Sequence, residues 1–110
     1  IDVKAKKRIS RSDSNSQSDF IWLEFKNVQG KKGWLCGSTD IIAFERENDF
    51  VLFRRKQLLD WAMNKCDIKQ LVANSRDALY KGYTRRGRKD LISIVKMKEM
   101  MEIYHRIWEK

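Results

Sequence analysis

Two short acidic-x-Lys stretches have residue types and spacing suited to chemistry: Asp2-Val-Lys4 and Glu24-Phe-Lys26. Both lie in segments that read as strands, the second strongly so from its aromatic and β-branched content. Side chains two apart on a strand share a face, so Asp2 stands beside Lys4 and Glu24 beside Lys26. A carboxylate binds a hard divalent cation through oxygen, and a neighbouring ammonium can orient or activate water. That pairing suits metal-assisted attack on a phosphodiester, provided two carboxylates converge, as Asp2 and Glu24 would if their strands pair. The plainer reading of such triplets is a solvated ion pair at a sheet edge. Asp40 is a third carboxylate, with turn capping before a buried strand as its preferred use.

The elements that must position these residues follow from the apolar pattern. Residues 1–9 read as a strand that starts abruptly, and 10–19 as an exposed Ser/Asn/Asp-rich connector. In the strand at 20–28, Ile21, Leu23, Phe25 and Asn27 form the core side, opposite Phe20, Trp22, Glu24, Lys26 and Val28. Residues 29–33 make a turn, and 34–36 a very short strand or packed loop. Strands at 39–44 and 50–53 flank a polar hairpin turn, which predicts an antiparallel meander with the preceding strand. Residues 56–65 predict a helix with Leu58, Leu59, Ala62 and Met63 on its buried stripe, extended by Trp61. A weaker helical turn at 69–73, a short strand at 78–84, a basic turn at 85–89 and a strand at 91–95 follow. Residues 97–108 predict a closing helix whose methionines pack in the core and whose His105 is structural. The expected fold is a single α/β domain of α+β type over residues 1–110, a sheet of four to six mainly antiparallel strands covered by two helices.

Composition points to the partner. The chain has 110 residues, a formal net charge of +9 and a pI near 9.8. A small basic domain usually meets a polyanion, most often nucleic acid. The charge is clustered: Lys4, Lys6, Lys7, Arg8 and Arg11 form one run, Lys81, Arg85, Arg86, Arg88 and Lys89 another, and Lys31 and Lys32 lie in a turn between them. Lys6, Lys7, Arg8, Arg11, Lys31, Lys32, Arg85, Arg86, Arg88 and Lys89 are the candidate backbone contacts, the arginines with geometry suited to phosphate oxygens. Trp34 and Tyr83, beside basic turns, are candidates to stack on exposed bases, with core packing the preferred use of Trp34.

Several classes are excluded. No run of 18 apolar residues exists to span a membrane; no signal-peptide pattern is visible either, although a missing N-terminus would hide one. Cys36 and Cys66 have no zinc-type spacing, and a reducing, intracellular (cytoplasmic) setting is the default. There is no Walker loop, no dinucleotide fingerprint and no Ser/His nucleophile arrangement. The first residue is Ile rather than Met, so an upstream segment is expected to be missing.

A series of motifs runs through the chain in order: Ile1-Asp-Val-Lys-Ala-Lys-Lys, the serine-rich loop, Ile21-Trp-Leu-Glu24, Gly33-Trp-Leu-Cys-Gly37, Asp40-Ile-Ile-Ala-Phe-Glu45 and Arg85-Arg-Gly-Arg-Lys-Asp90. Together they resemble small phage-type, homing-endonuclease-like members of the PD-(D/E)XK nuclease superfamily. The resemblance implies a restriction-endonuclease-like mixed sheet flanked by helices, and Mg²⁺-dependent (or Mn²⁺-dependent) endonuclease cleavage of DNA. In that family an aspartate opens one strand and an acidic-x-Lys triplet lies on the next. Two registrations fit. In the first, Asp2-Val-Lys4 is the triplet, the lone aspartate lies upstream, and the chain alone is inactive without a separate N-terminal fragment or a longer protein. In the second, Asp2 is the lone aspartate and Glu24-Phe-Lys26 the triplet. The first is preferred because of the abrupt start. Either way Asp2, Glu24 or both would hold the metal, and Lys4 or Lys26 would position water. Cutting both strands commonly takes two active sites, which suggests a homodimer, and the implied setting is a phage or mobile element. The main alternative is a non-catalytic basic nucleic-acid-binding module; a third is a domain that docks an acidic protein.

Overall fold

The computed structural model describes residues 1–8 and 16–110. In chain order it contains strands β1 (Asp2–Lys4), β2 (Phe20–Lys26), β3 (Ile41–Glu45) and β4 (Asp49–Arg54), and helix α1 (Arg55–Lys65). Strands β5 (Asp67–Leu71), β6 (Lys81–Gly82) and β7 (Leu91–Lys96) follow, then helix α2 (Met97–Met100) and strand β8 (Arg106–Glu109). The fold is α+β with mixed, mostly antiparallel pairing. Strands β1-β3-β4-β8 form one sheet, in which only β1 and β3 run parallel. Strand β2 pairs antiparallel with β7, and β5 pairs parallel with β6. Bridges Leu79–Ile94 and Tyr83–Ile92 tie the β6 region to the other edge of β7.

Alternation along β2 works as its sequence requires. Leu23 and Phe25 are buried, while Trp22 and Glu24 on the opposite face are half-buried. The buried cluster adds Ile42 and Phe44 from β3, Val51 and Phe53 from β4, and Leu58, Trp61 and Ala62 from α1. Phe44 and Phe53 meet edge to face at 5.6 Å. Met97 and Met100 also pack there, the use expected of methionines at helical spacing. Among the described residues, no helix is long and apolar enough to cross a membrane.

Four local expectations are corrected. The meander stops at one hairpin, because β2 pairs with β7 and not with β3. The run Leu91-Ile-Ser-Ile-Val95 is buried on both faces and needs partners on both edges, which only a distant pairing supplies. Residues 69–73 are not helical; 69–71 are exposed in β5, whose backbone pairs with β6 instead. The closing helix over 97–108 breaks after Ile103, and the β-branched and aromatic residues Ile107 and Trp108 extend along the free edge of β4. His105 therefore lies between elements, with its N–H donating to the Leu52 carbonyl at 2.8 Å. On α1, Trp61 is buried and Met63 is 53 % exposed, so the stripe is rotated from the expected one.

Tyr80 joins these pieces. Its backbone is left-handed (φ 56°), held by Tyr80 N–H to Ile94 O (2.8 Å) and Asp67 N–H to Tyr80 O (2.9 Å). Its hydroxyl donates to Glu99 Oε1 at 2.9 Å and accepts from the Lys96 N–H at 3.3 Å. Burial pushes the phenol up to about 12 from an ordinary 10, and the bond to Glu99 works the same way. The group is neutral when folded and ionises at lower pH when unfolded. Its contribution to stability is therefore fully present below pH 10 and lost as pH rises towards 12. Urea unfolding of Tyr80→Phe should start lower by about 1 kcal/mol for the lost hydrogen bonds and decline less between pH 10 and 12. An equally steep decline in the variant would show that Tyr80 is not its source.

Candidate nucleic-acid interface

Glu24 lies on the outer face of β2, where a second segment comes unusually close. A Cβ on Gly33 would sit 2.5 Å from the Glu24 carbonyl oxygen, so only glycine fits there. The Gly33 N–H donates to Phe25 O at 3.0 Å, which fixes the approach. A single 3₁₀ turn, Trp34–Cys36, then buries Leu35, resolving the expected short strand or packed loop at 34–36. The turn brings the Trp34 N–H to 3.3 Å from Glu24 Oε1. The Trp34 ring packs edge-on against Phe44 at 5.9 Å, its expected use in packing. Lys4 Nζ lies 4.8 Å from the same ring, and also 3.1 Å from Asp2 Oδ2.

The two acidic-x-Lys stretches are thus linked through one residue, Trp34, whose ring meets Lys4 and whose main-chain N–H meets Glu24. They do not meet by strand pairing: β1 belongs to the sheet with β3, and β2 pairs with β7. Lys26 is exposed beyond a register shift in the β2–β7 pairing and bridges to Lys32. Asp40 is exposed, its carbonyl accepting the Arg55 N–H at 2.9 Å. Among the described residues, no group of three or more His, Cys, Asp or Glu side chains is arranged to hold a metal ion. Asp2 is paired with Lys4, and one Glu24 oxygen is taken by Trp34 N–H. The donors present do not fit a divalent cation held by protein groups alone. Burial pushes the thiols of Cys36 and Cys66 up, so neither is a ready thiolate.

A cleft of about 1000 Å³ opens beside Glu24. Lys6, Lys7 and Arg8 line it from the first basic run, and Arg85, Arg86 and Arg88 from the second. Trp22, Trp34 and Tyr83 line it as well, and Glu24 is the acid among the described lining residues. Arg11 lies outside the described residues. Lys31, Lys32 and Lys89 do not line the cleft: Lys31 N–H is held by Asn27 Oδ1 and Lys89 N–H by Val28 O, at 3.1 Å each, in a neighbouring turn.

Each basic run is fixed by an acid. The Lys6 N–H donates to Glu45 Oε1 at 3.1 Å, and Lys6 Nζ reaches Glu47 Oε2 at 3.2 Å. Hydrogen bonds from Lys110 and from the Lys6 backbone hold the Glu45 carboxyl below its usual range. In the second run Asp90, 1 % exposed, accepts from Arg85 N–H at 2.9 Å and from Arg85 Nε. Thr84 Oγ1 donates to the Asp90 carbonyl at 2.7 Å. Gly87 supplies the positive φ (75°) inside the turn closed by Arg88 N–H to Arg85 O. Asp90 and Trp22 are the residues that sequence reasoning does not single out for the site. The signal for Asp90 is a lone acid ending a basic turn; Trp22 has only its place on the outer face of β2.

Asp90→Asn should lower unfolding stability by about 1–3 kcal/mol, because a buried charge-assisted acceptor is lost. Arg86→Ala, on an exposed side chain with no ion pair among the described residues, should be near neutral. Equal effects of the two in urea unfolding would mean that Asp90 does not hold the turn. Gly33→Ala should cost at least about 1–3 kcal/mol through overpacking against Glu24, and a wild-type unfolding midpoint would contradict the close approach.

No protein-family model matches the chain, and neither a curated protein nor a solved structure is similar enough to count as a match. The likeness to PD-(D/E)XK nucleases rests on the ordered motifs alone.

Proposed function

We propose that the chain binds the backbone of a nucleic acid, with DNA the expected partner, in the cleft between its two basic runs. The observation that carries this reading is the convergence of Lys6, Lys7 and Arg8 with Arg85, Arg86 and Arg88 on one concave surface. Cations in a cleft concentrate positive potential and attract a polyanion. Each phosphate they neutralise releases condensed counterions, and such contacts hold the strand without reading its sequence. Two free cysteines fit a reducing, intracellular setting for such a partner.

A second reading is the Mg²⁺-dependent endonuclease of a restriction-endonuclease-like fold. One observation favours it: Glu24 lines the same cleft, with Lys4 and Asp2 on the far side of the Trp34 contact. On that reading Asp2, Glu24 or both would hold the metal and Lys4 or Lys26 would position water, which requires the Asp2–Lys4 pair and the Glu24–Trp34 hydrogen bond to give way.

Anisotropy of labelled DNA oligonucleotides, titrated in EDTA between 50 and 200 mM salt, separates these readings from a plain basic surface. Six phosphate contacts predict an affinity loss of roughly 10³-fold for duplex across that range. Arg86→Ala and Arg88→Ala should each flatten the salt slope by about one. Weak binding with a shallow slope, unchanged in both variants, would sink the proposal. Plasmid nicking with Mg²⁺ or Mn²⁺ tests the second reading. The binding module predicts no nicking and no loss of binding in Glu24→Gln; metal-dependent nicking lost in Glu24→Gln would establish the endonuclease.

A further inference from the structure

We infer that the ligand of the cleft is an unpaired strand, one of whose bases stacks on Trp22 and Tyr83. This rests on the binding reading above and goes beyond it by naming the form of the nucleic acid. The two rings lie with centroids 6.0 Å apart and planes inclined at 34°. Both line the cleft and both are half-buried. Neither belongs to the hydrophobic cluster that takes up Trp34, Trp61 and Tyr80. Core packing therefore accounts for those three aromatics and leaves Trp22 and Tyr83 as a separate pair at the cleft.

The pair stands on a rigid platform. Trp22 is opposite Ile94 in the β2–β7 register, and Tyr83 exchanges backbone hydrogen bonds of 2.8 and 2.9 Å with Ile92. The two aromatics thus sit on the two segments that flank β7, and Ile92 of β7 lines the cleft with them. Arg85 follows Tyr83 by two residues and is fixed by Asp90, so a cation is held beside the rings. Cations alone would serve a duplex. In a duplex, however, the base faces are already stacked on one another and only their edges reach the grooves. An aromatic face in the site is useful only to a base that is out of the stack, and a basic groove with aromatic side chains is the arrangement that follows a single strand.

The test compares four ligands of equal length on the wild-type protein: a thymidine strand, its abasic counterpart of equal charge, a duplex, and a uridine strand. The thymidine strand should bind more tightly than the abasic strand by about 5- to 100-fold, and more tightly than the duplex. It should also quench intrinsic tryptophan fluorescence, with that quenching lost in Trp22→Phe. Tyr83→Ala should bring thymidine binding towards the abasic level with the salt slope unchanged. The uridine strand distinguishes RNA from DNA as the source of the base. Equal binding of thymidine and abasic strands, or tighter binding of the duplex, would overturn the stacking inference while salt-dependent binding kept the backbone reading. Binding of none of the four would remove both. The wild-type comparison does not depend on any variant folding.

Discussion

Hydrogen bonding along both edges of β7 is the constraint on which the cleft depends. One edge takes β2 and so sets Trp22 opposite Ile94 and Glu24 opposite Ile92. The other takes residues 79 and 83, which sets Tyr83 beside Ile92. A strand buried on both faces cannot leave its backbone groups unpaired without a cost comparable to a lost hydrogen bond at each. The pairing is therefore compulsory, and the approach of the two aromatics and of the second basic turn follows from it. The same strand sends Val95 into the core beside Leu23 and Phe25, so the platform cannot move independently of the interior.

Close packing at Gly33 is the second condition. It couples β2 to the segment carrying Trp34, and through the Trp34 ring to Lys4 and Asp2 on a different sheet. Residues far apart in the chain thereby meet at Trp34, Lys4 at its ring and Glu24 at its main-chain N–H. The Asp2–Lys4 pair and the Glu24–Trp34 hydrogen bond each occupy one carboxylate oxygen. This geometry explains why Glu24 borders the cleft without, by itself, making a cation site.

Gathering six cations on one concave surface opposes itself electrostatically. Two like charges 4 Å apart in water repel by about 1 kcal/mol, less with salt. Acids placed behind the basic residues offset part of this. Asp90 neutralises Arg85 from the buried side, and Glu47 with Glu45 anchors Lys6. Arg86 and Arg88 are exposed at the turn that these contacts hold in place. The arrangement leaves positive potential facing the cleft.

Local signals were sufficient for the elements that carry strong patterns. The alternation in β2, the β3–β4 hairpin, the helix after Phe53 and the strand at Leu91–Lys96 can be read from residue type and period, because burying an apolar face imposes that period. Clustering of the basic residues into two runs is legible in the same way. Partner choice could not be read this way. Residues 69–73 and 97–108 have apolar residues compatible with a helix, and open strand edges captured parts of both as β5 and β8. Trp22 and Trp34 look alike in the chain and both line the cleft, yet Trp34 packs against Phe44 while Trp22 meets Tyr83. Likewise Arg86 lines the cleft and Lys89 does not, although three positions separate them. The sequence by itself determined that β2, β3, β4 and β7 would be strands and α1 a helix, which face of β2 would be apolar, and how strongly basic the chain is, since these depend on near neighbours. Only the tertiary structure decided which edges pair, and so which cations and aromatics meet, because backbone pairing is satisfied between segments whose separation in the chain carries no local signal.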